Sequence, residues 1–245
     1  MVNLPPFVQG AGNGESILGR VLCADQSECA RPLVVSIDSG SNWFETGPAG
    51  AEDPSAVGNG GWRAILVPSA ATAILTSKDG VAWDSLASPC RDPWPATAAT
   101  AWGSASLGLL ACVGDEGAGQ QAKAILSTAD GGKTWTRVSS FAADGSNVVG
   151  NVPGHGELTG LWMTDGSLAW LSTADLYAST DGGRVWKAAD PAVASDARRV
   201  LSARFHGPDG AVLVADDAAH IVALFATADR GATWAQKTTW SMPTR

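Results

Sequence analysis

Short runs of apolar and β-branched residues, each bounded by Gly, Asp or Pro, follow one another along this chain and predict strands throughout. In the middle and later parts they fall in fours: 98–102, 107–113, 122–127 and 134–138; then 158–163, 168–172, 176–179 and 185–188; then 200–206, 211–215, 222–227 and 233–237. Strands that succeed one another at such short spacing pair as antiparallel meanders. Upstream, 62–68 and 72–77 are clear, whereas the innermost strand of that group is poorly defined. The first 35 residues supply three more strands, around 6–10, 17–23 and 32–36. A pairing of an N-terminal strand with 236–240 would protect an exposed edge.

A polar signature interrupts this pattern five times: Ser36-Ile-Asp38-Ser-Gly40-Ser-Asn-Trp43, Ser77-Lys-Asp79-Gly-Val-Ala-Trp83, Thr128-Ala-Asp130-Gly-Gly-Lys-Thr-Trp135, Ser179-Thr-Asp181-Gly-Gly-Arg-Val-Trp186 and Thr227-Ala-Asp229-Arg-Gly-Ala-Thr-Trp234. The aspartates are 41, 51, 51 and 48 residues apart, the period of propeller blades rather than of helical solenoids. A short carboxylate at the start of a tight turn accepts hydrogen bonds from N–H groups two or three residues on. The Ser or Thr two residues earlier adds a hydroxyl, glycine supplies positive φ, and the Trp starts the next strand with its ring beneath the turn. The second copy has one residue fewer between Asp and Trp, so its turn is expected to be tighter.

These residues resemble the Asp-box (BNR) repeat of sialidases, sortilin-type receptors and photosystem II assembly factors, over most of the chain from Ser36 to Trp234. The resemblance implies an all-β fold, a five-bladed β-propeller of four-stranded antiparallel blades. One domain over 1–245 is expected, with blades near 1–46, 47–87, 88–139, 140–189 and 190–245. It also implies that the boxes lie on the turn between the third and fourth strands of each blade, away from the binding face. Asp38, Trp43, Asp79, Trp83, Asp130, Trp135, Asp181, Trp186, Asp229 and Trp234 are therefore expected to be structural.

A chain of 245 residues buries roughly 70% of its unfolded surface, enough for a sizeable core. A net charge of -8 argues against nucleic acid and anionic membranes, and leaves neutral or cationic partners. No apolar run reaches the length of a membrane span. Three histidines at spacings that fit no zinc pattern, and the absence of a Gly-rich phosphate loop, predict neither metal nor cofactor. A monomer is expected.

Four cysteines allow three pairings, which sequence alone does not choose. With strands alternating in direction, Cys23 and Cys29 flank a loop between second and third strands. Cys90 lies in a connection between blades, and Cys112 ends a second strand. All four reach the end opposite the boxes, which favours Cys23 with Cys29 and Cys90 with Cys112; four reduced thiols are the alternative. Disulfides would place the protein outside the cytoplasm: secreted, periplasmic or on the cell surface.

The same end collects the candidate binding residues. Its loops are expected to hold Asp115, Glu116, Asp175, Asp216 and Asp217, and its connections Arg91, Asp92, Trp94, His155, Glu157, Arg198 and Arg199. Such carboxylates suit a cation, a basic peptide or sugar hydroxyls, although solvated turn acids have the same composition. Trp94, held between Pro93 and Pro95, is expected to be a rigid exposed platform, whereas Trp62, Trp102, Trp162 and Trp170 fall in strands and suit packing.

The sialidase likeness fails where the chemistry should be. The only tyrosine, Tyr177, falls on a third strand rather than the inner wall, and no Arg-Ile-Pro type motif precedes the first box. A glycosidase needs only two suitably spaced carboxylates, so a glycoside hydrolase is the alternative. The leading expectation is a non-catalytic module that recognises a protein or carbohydrate ligand.

Overall fold

Among the described residues each of the expected runs contains a strand, although some, such as those expected at 158–163 and 185–188, start two residues later. Consecutive strands within a sheet pair antiparallel because only short turns separate them. The computed structural model describes residues 8–13, 16–21, 33–36, 38–39, 41–48, 51–57, 61–66, 73–142, 148–189, 193 and 198–242. Among these are five four-stranded sheets, each in simple sequence order. The first comprises β1 (Val8–Asn13), β2 (Ser16–Val21), β3 (Leu33–Ser36) and β4 (Phe44–Thr46), and the second β5 (Ala51–Val57), β6 (Gly61–Leu66), β7 (Ala73–Ser77) and β8 (Asp84–Ala87). The third comprises β9 (Ala96–Trp102), β10 (Gly108–Gly117), β11 (Gln120–Thr128) and β12 (Thr136–Phe141). The fourth comprises β13 (Gly160–Met163), β14 (Ala169–Ser172), β15 (Leu176–Ser179) and β16 (Lys187–Ala188), and the fifth β17 (Arg198–His206), β18 (Asp209–Asp216), β19 (Ile221–Thr227) and β20 (Ala235–Ser241).

The first strand of the second sheet, poorly defined in the sequence, is β5. It contains Pro54, and its pairing with β6 slips between Glu52 and Ser55. Proline removes a ladder donor, so it sits where a bulge tolerates it. The segment 236–240 belongs to β20 and pairs with β19, while β1 pairs with β2.

Two compact units share the chain: Met1–Cys90 with Ala99–Gly108 and Thr128–Trp135, and Arg91–Ala98 with Leu109–Ser127 and Thr136–Arg245. In the first unit, Leu18, Leu33, Val35, Ala51 and Leu75 form a buried cluster flanked by Trp83. Trp102 meets Trp135 edge-on at 5.9 Å. In the second unit, Trp170 stacks on Phe205 at 4.4 Å and meets Trp234 edge-on within a cluster that includes Leu176, Val200, Val212, Val214 and Phe225. Each such large apolar side chain contributes about 1.5–3 kcal/mol by burial.

The five signature segments all join the third and fourth strands of a sheet. Their carboxylates close the turns. Asp130 accepts from the Thr134 amide at 2.9 Å, the Thr134 hydroxyl at 2.6 Å and the Thr128 hydroxyl at 2.8 Å. Asp229 does the same with Thr233 and Thr227, and Asp181 accepts from the amides of Arg184 and Val185 and the Ser179 hydroxyl. Asp38 accepts from the Asn42 amide and side chain, and Asp79 from the amides of Val81 and Ala82. The preceding hydroxyl is used twice: that of Thr128 donates to Asp130 and accepts from the Gly132 amide, four residues on. In the shorter second copy, Ser77 receives the Gly80 amide only three residues on. Positive φ is needed at Gly183, at 87°, where an added Cβ would also lie 3.3 Å from Ile125.

Candidate acidic site

A strand that ends in an Asp turn at one end exposes its other end to the opposite set of tips. At the free end of the β10–β11 hairpin, the turn is made by Ala118 and Gly119, both at positive φ. Asp115 and Glu116, expected in a loop, are exposed residues of β10, which ends one residue past them at Gly117. The segment Pro153–Leu158 lies along this tip. The Gln121 amide donates to the Gly154 carbonyl and the Gly156 amide to Gly119, Gln120 and His155 form an isolated antiparallel bridge, and the Leu158 amide donates to Gln121 Oε1. His155 is thereby paired with Gln120 and Glu157 brought near Glu116, which accepts from Gln121 Nε2 at 3.0 Å.

Two exposed acidic side chains come close enough here for one to perturb the other. Bonding to Glu116, followed by that residue's charge and partial desolvation, raises the Glu157 carboxyl above the usual range. Beneath the tip lies Lys123, 0% exposed, whose Nζ donates to the carbonyls of Gln121 at 3.1 Å, Gly154 at 3.0 Å and Gly156 at 2.6 Å. Burial pushes this amine down to about 8, opposed by the negative charge of Glu116. Neither Gln121 nor Lys123 was singled out from the sequence. The available signal was a lone cation inside the apolar run Ala122-Lys-Ala-Ile-Leu, a position that only a satisfied ammonium tolerates.

Other candidates have partners of their own. Asp175 accepts from the Tyr177 hydroxyl at 3.3 Å, and burial, then Asp175, pushes that phenol up to about 12. A phenol so reluctant to ionise is a poor nucleophile. Asp216 accepts from the Ala219 amide at 2.9 Å and pairs with Arg198 at 3.4 Å, so it closes a turn. Asp217 and Arg199 are exposed.

Trp94 corrects the expectation of an exposed platform. It is only 5% exposed, its Nε1 donates to the Phe141 carbonyl at 3.0 Å, and the Arg137 guanidinium lies 5.0 Å from its ring centre. The tight turn Arg91–Trp94, closed by the Trp94 amide on the Arg91 carbonyl, turns the indole inward. That turn presses so closely on β10 that a Cβ on Gly114 would lie 2.0 Å from the Pro93 carbonyl oxygen.

Cys90 and Cys112 are both disulfide-bonded. Cys23 and Cys29 lie outside the described residues, as does the side chain of Trp62. Among the described residues, no group of three or more His, Cys, Asp and Glu could hold a metal ion, and no helix is long and apolar enough to cross a membrane.

No family model matches this sequence, and no curated protein matches it either. Solved structures do. YCF48 from Cyanidioschyzon merolae is 16% identical over 89% of this chain and 80% of that one, with a TM-score of 0.45. The GH74 enzyme of Niastella koreensis is 15% identical over 94% of this chain and 44% of that one, with a TM-score of 0.52. An ancestral GH74 enzyme is 15% identical over 94% of this chain and 31% of its own length, with a TM-score of 0.58. The chain thus spans less than half of either GH74 protein. These two likenesses concern the fold, an all-β arrangement of antiparallel four-stranded sheets with β-propeller neighbours.

Proposed function

We propose that this chain is a five-bladed Asp-box propeller acting as a non-catalytic binding module outside the cytoplasm, and that its acidic tips receive a protein or glycan. The observation that carries the reading is the set of backbone and side-chain bonds that seats Pro153–Leu158 on the β10–β11 tip, bringing the exposed Glu157 close enough to the exposed Glu116 for that neighbour to raise its carboxyl. Two exposed carboxylates, one of them raised by the other, suit a cationic group, which relieves their mutual repulsion. A net charge of -8 favours a protein segment bearing Lys or Arg over a neutral glycan. The disulfide-bonded Cys90 and Cys112 support a place outside the cytoplasm.

Calorimetric titration with a hexa-lysine peptide and with a panel of neutral oligosaccharides tests this. The peptide is expected to bind, and Glu116→Gln with Glu157→Gln to weaken it at least about tenfold, as loss of charge-assisted contacts does. Turnover of aryl glycosides that the same two substitutions abolish would establish the competing reading, a glycoside hydrolase, and end this one.

A further inference from the structure

A lysine with no exposed surface cannot meet a ligand, yet Lys123 lies directly under the acidic tip. Its ammonium has three N–H donors and faces three carbonyl oxygens, one on its own strand and two on the segment Pro153–Leu158. On the neighbouring strand, Phe141 stands opposite Lys123, and Gly154 lies so close to the Phe141 ring that a Cβ there would be 2.4 Å from it. The Gly154 carbonyl is therefore presented to Lys123 by a residue that must be glycine. Glu116 on β10 is the charged group whose field reaches the ammonium; His155 and Glu157 belong to the segment it holds, and β9 carries no ionisable residue. An apolar side chain at this position would leave the Gly156 carbonyl without its ammonium donor and the Gly154 carbonyl with the Gln121 amide alone.

We propose that Lys123 is the positioning residue of the acidic face, its buried ammonium seating Pro153–Leu158 on the β11 tip and so fixing where His155 and Glu157 stand relative to Glu116. The inference rests on reading that face as the binding site, but its test requires no ligand. In Lys123→Met, amide exchange at Gly156 and Leu158 is expected to quicken at least about tenfold, while Ala124–Leu126 within β11 keep their protection. Glu157, followed by its carboxyl carbon resonance, is expected to titrate again in the ordinary carboxylate range, a change that a remote structural lysine would not cause. Exchange within about twofold of the unsubstituted protein, with the Glu157 titration unmoved, would overturn the proposal. If Lys123→Met loses β11 protection altogether, the unsubstituted protein decides. Scalar couplings across hydrogen bonds from the Lys123 ammonium to the carbonyl carbons of Gly154 and Gly156 support the assignment, and an ammonium in free exchange with water refutes it. Failure of the hexa-lysine peptide to bind while these couplings are present would sink the binding reading and leave the role of Lys123 intact.

Discussion

The fourth and fifth Asp turns share their Asp, second Gly and Trp positions, and in both the carboxylate accepts from the preceding hydroxyl and from the amide four residues on, yet they anchor their tryptophans differently. In the fourth, Trp186 Nε1 donates to the Gly183 carbonyl at 3.0 Å and to Ser139 Oγ at 3.2 Å, and the Ser139 hydroxyl donates to the same glycine carbonyl. In the fifth, Trp234 Nε1 is buried without a partner, and the ring instead meets Trp170 and Phe205 edge-on, at 5.9 and 6.2 Å. The carboxylate and hydroxyl define the bend, but the neighbouring strand decides what the indole does. Where β12 offers a serine, the ring is held by polar bonds; where large aromatics crowd in, it is held by packing.

The comparison is broken most forcefully at the indoles. Trp186→Ala is expected to destabilise by about 3–5 kcal/mol, since the residue is 4% exposed and leaves a large cavity. Phenylalanine sharpens the contrast. Trp186→Phe removes two hydrogen bonds and should cost about 1–2 kcal/mol more than Trp234→Phe, which deletes an N–H that has no partner. Urea denaturation of the three variants measures this, and equal losses for the two phenylalanine substitutions would show that the Trp186 bonds contribute nothing.

How much of this was readable beforehand divides along the same line. The bends were legible because each uses bonds within six or seven residues, so Asp, hydroxyl, Gly and Trp appear together in the chain. The contacts of the indoles were not, because Ser139 meets Trp186 across 47 residues and Trp170 meets Phe205 across sheets. The acidic face follows the same rule. Its exposed carboxylates could be named from their turns, whereas the burial of Trp94 depends on the Phe141 carbonyl, and the role of Lys123 on two glycines some thirty residues downstream. β5 escaped notice for a local reason, a proline tolerated by a bulge that sequence periodicity does not register.

Acid tests both turns against the tip. Hydrogen bonds from the Thr233 hydroxyl and amide hold Asp229 at about 2, and the Thr134 hydroxyl does the same for Asp130. A carboxyl depressed by folding adds stability that is fully present above its usual value near 4 and is lost as pH falls through the folded value. The melting temperature should therefore drop between about pH 4 and pH 2, and Asp130→Asn with Asp229→Asn should flatten that slope. Glu157 has the opposite sign: its raised value means that its contribution is present below the ordinary glutamate range and fades as pH rises. A melting curve that keeps its acid slope in the double Asn variant would mean that the turns do not set it.

The smallest expected effect concerns Arg230, which occupies a left-handed position at φ 60° where the fourth turn has Gly182 at 72°. A side chain in that region costs about 1–2 kcal/mol, whereas glycine costs about 0.5–1 kcal/mol through the freedom it gains in the unfolded chain. Arg230 also pairs with Asp165 at 3.1 Å, but the two side chains are 60% and 33% exposed, and such a pair contributes about 0–1 kcal/mol. Arg230→Gly should thus change stability by no more than about 0.5 kcal/mol, with a gain emerging at high salt, where the ion pair is screened. A loss above about 1 kcal/mol that salt abolishes would mean that the Arg230–Asp165 pair, and not aromatic packing, replaces the indole hydrogen bond missing from the fifth turn.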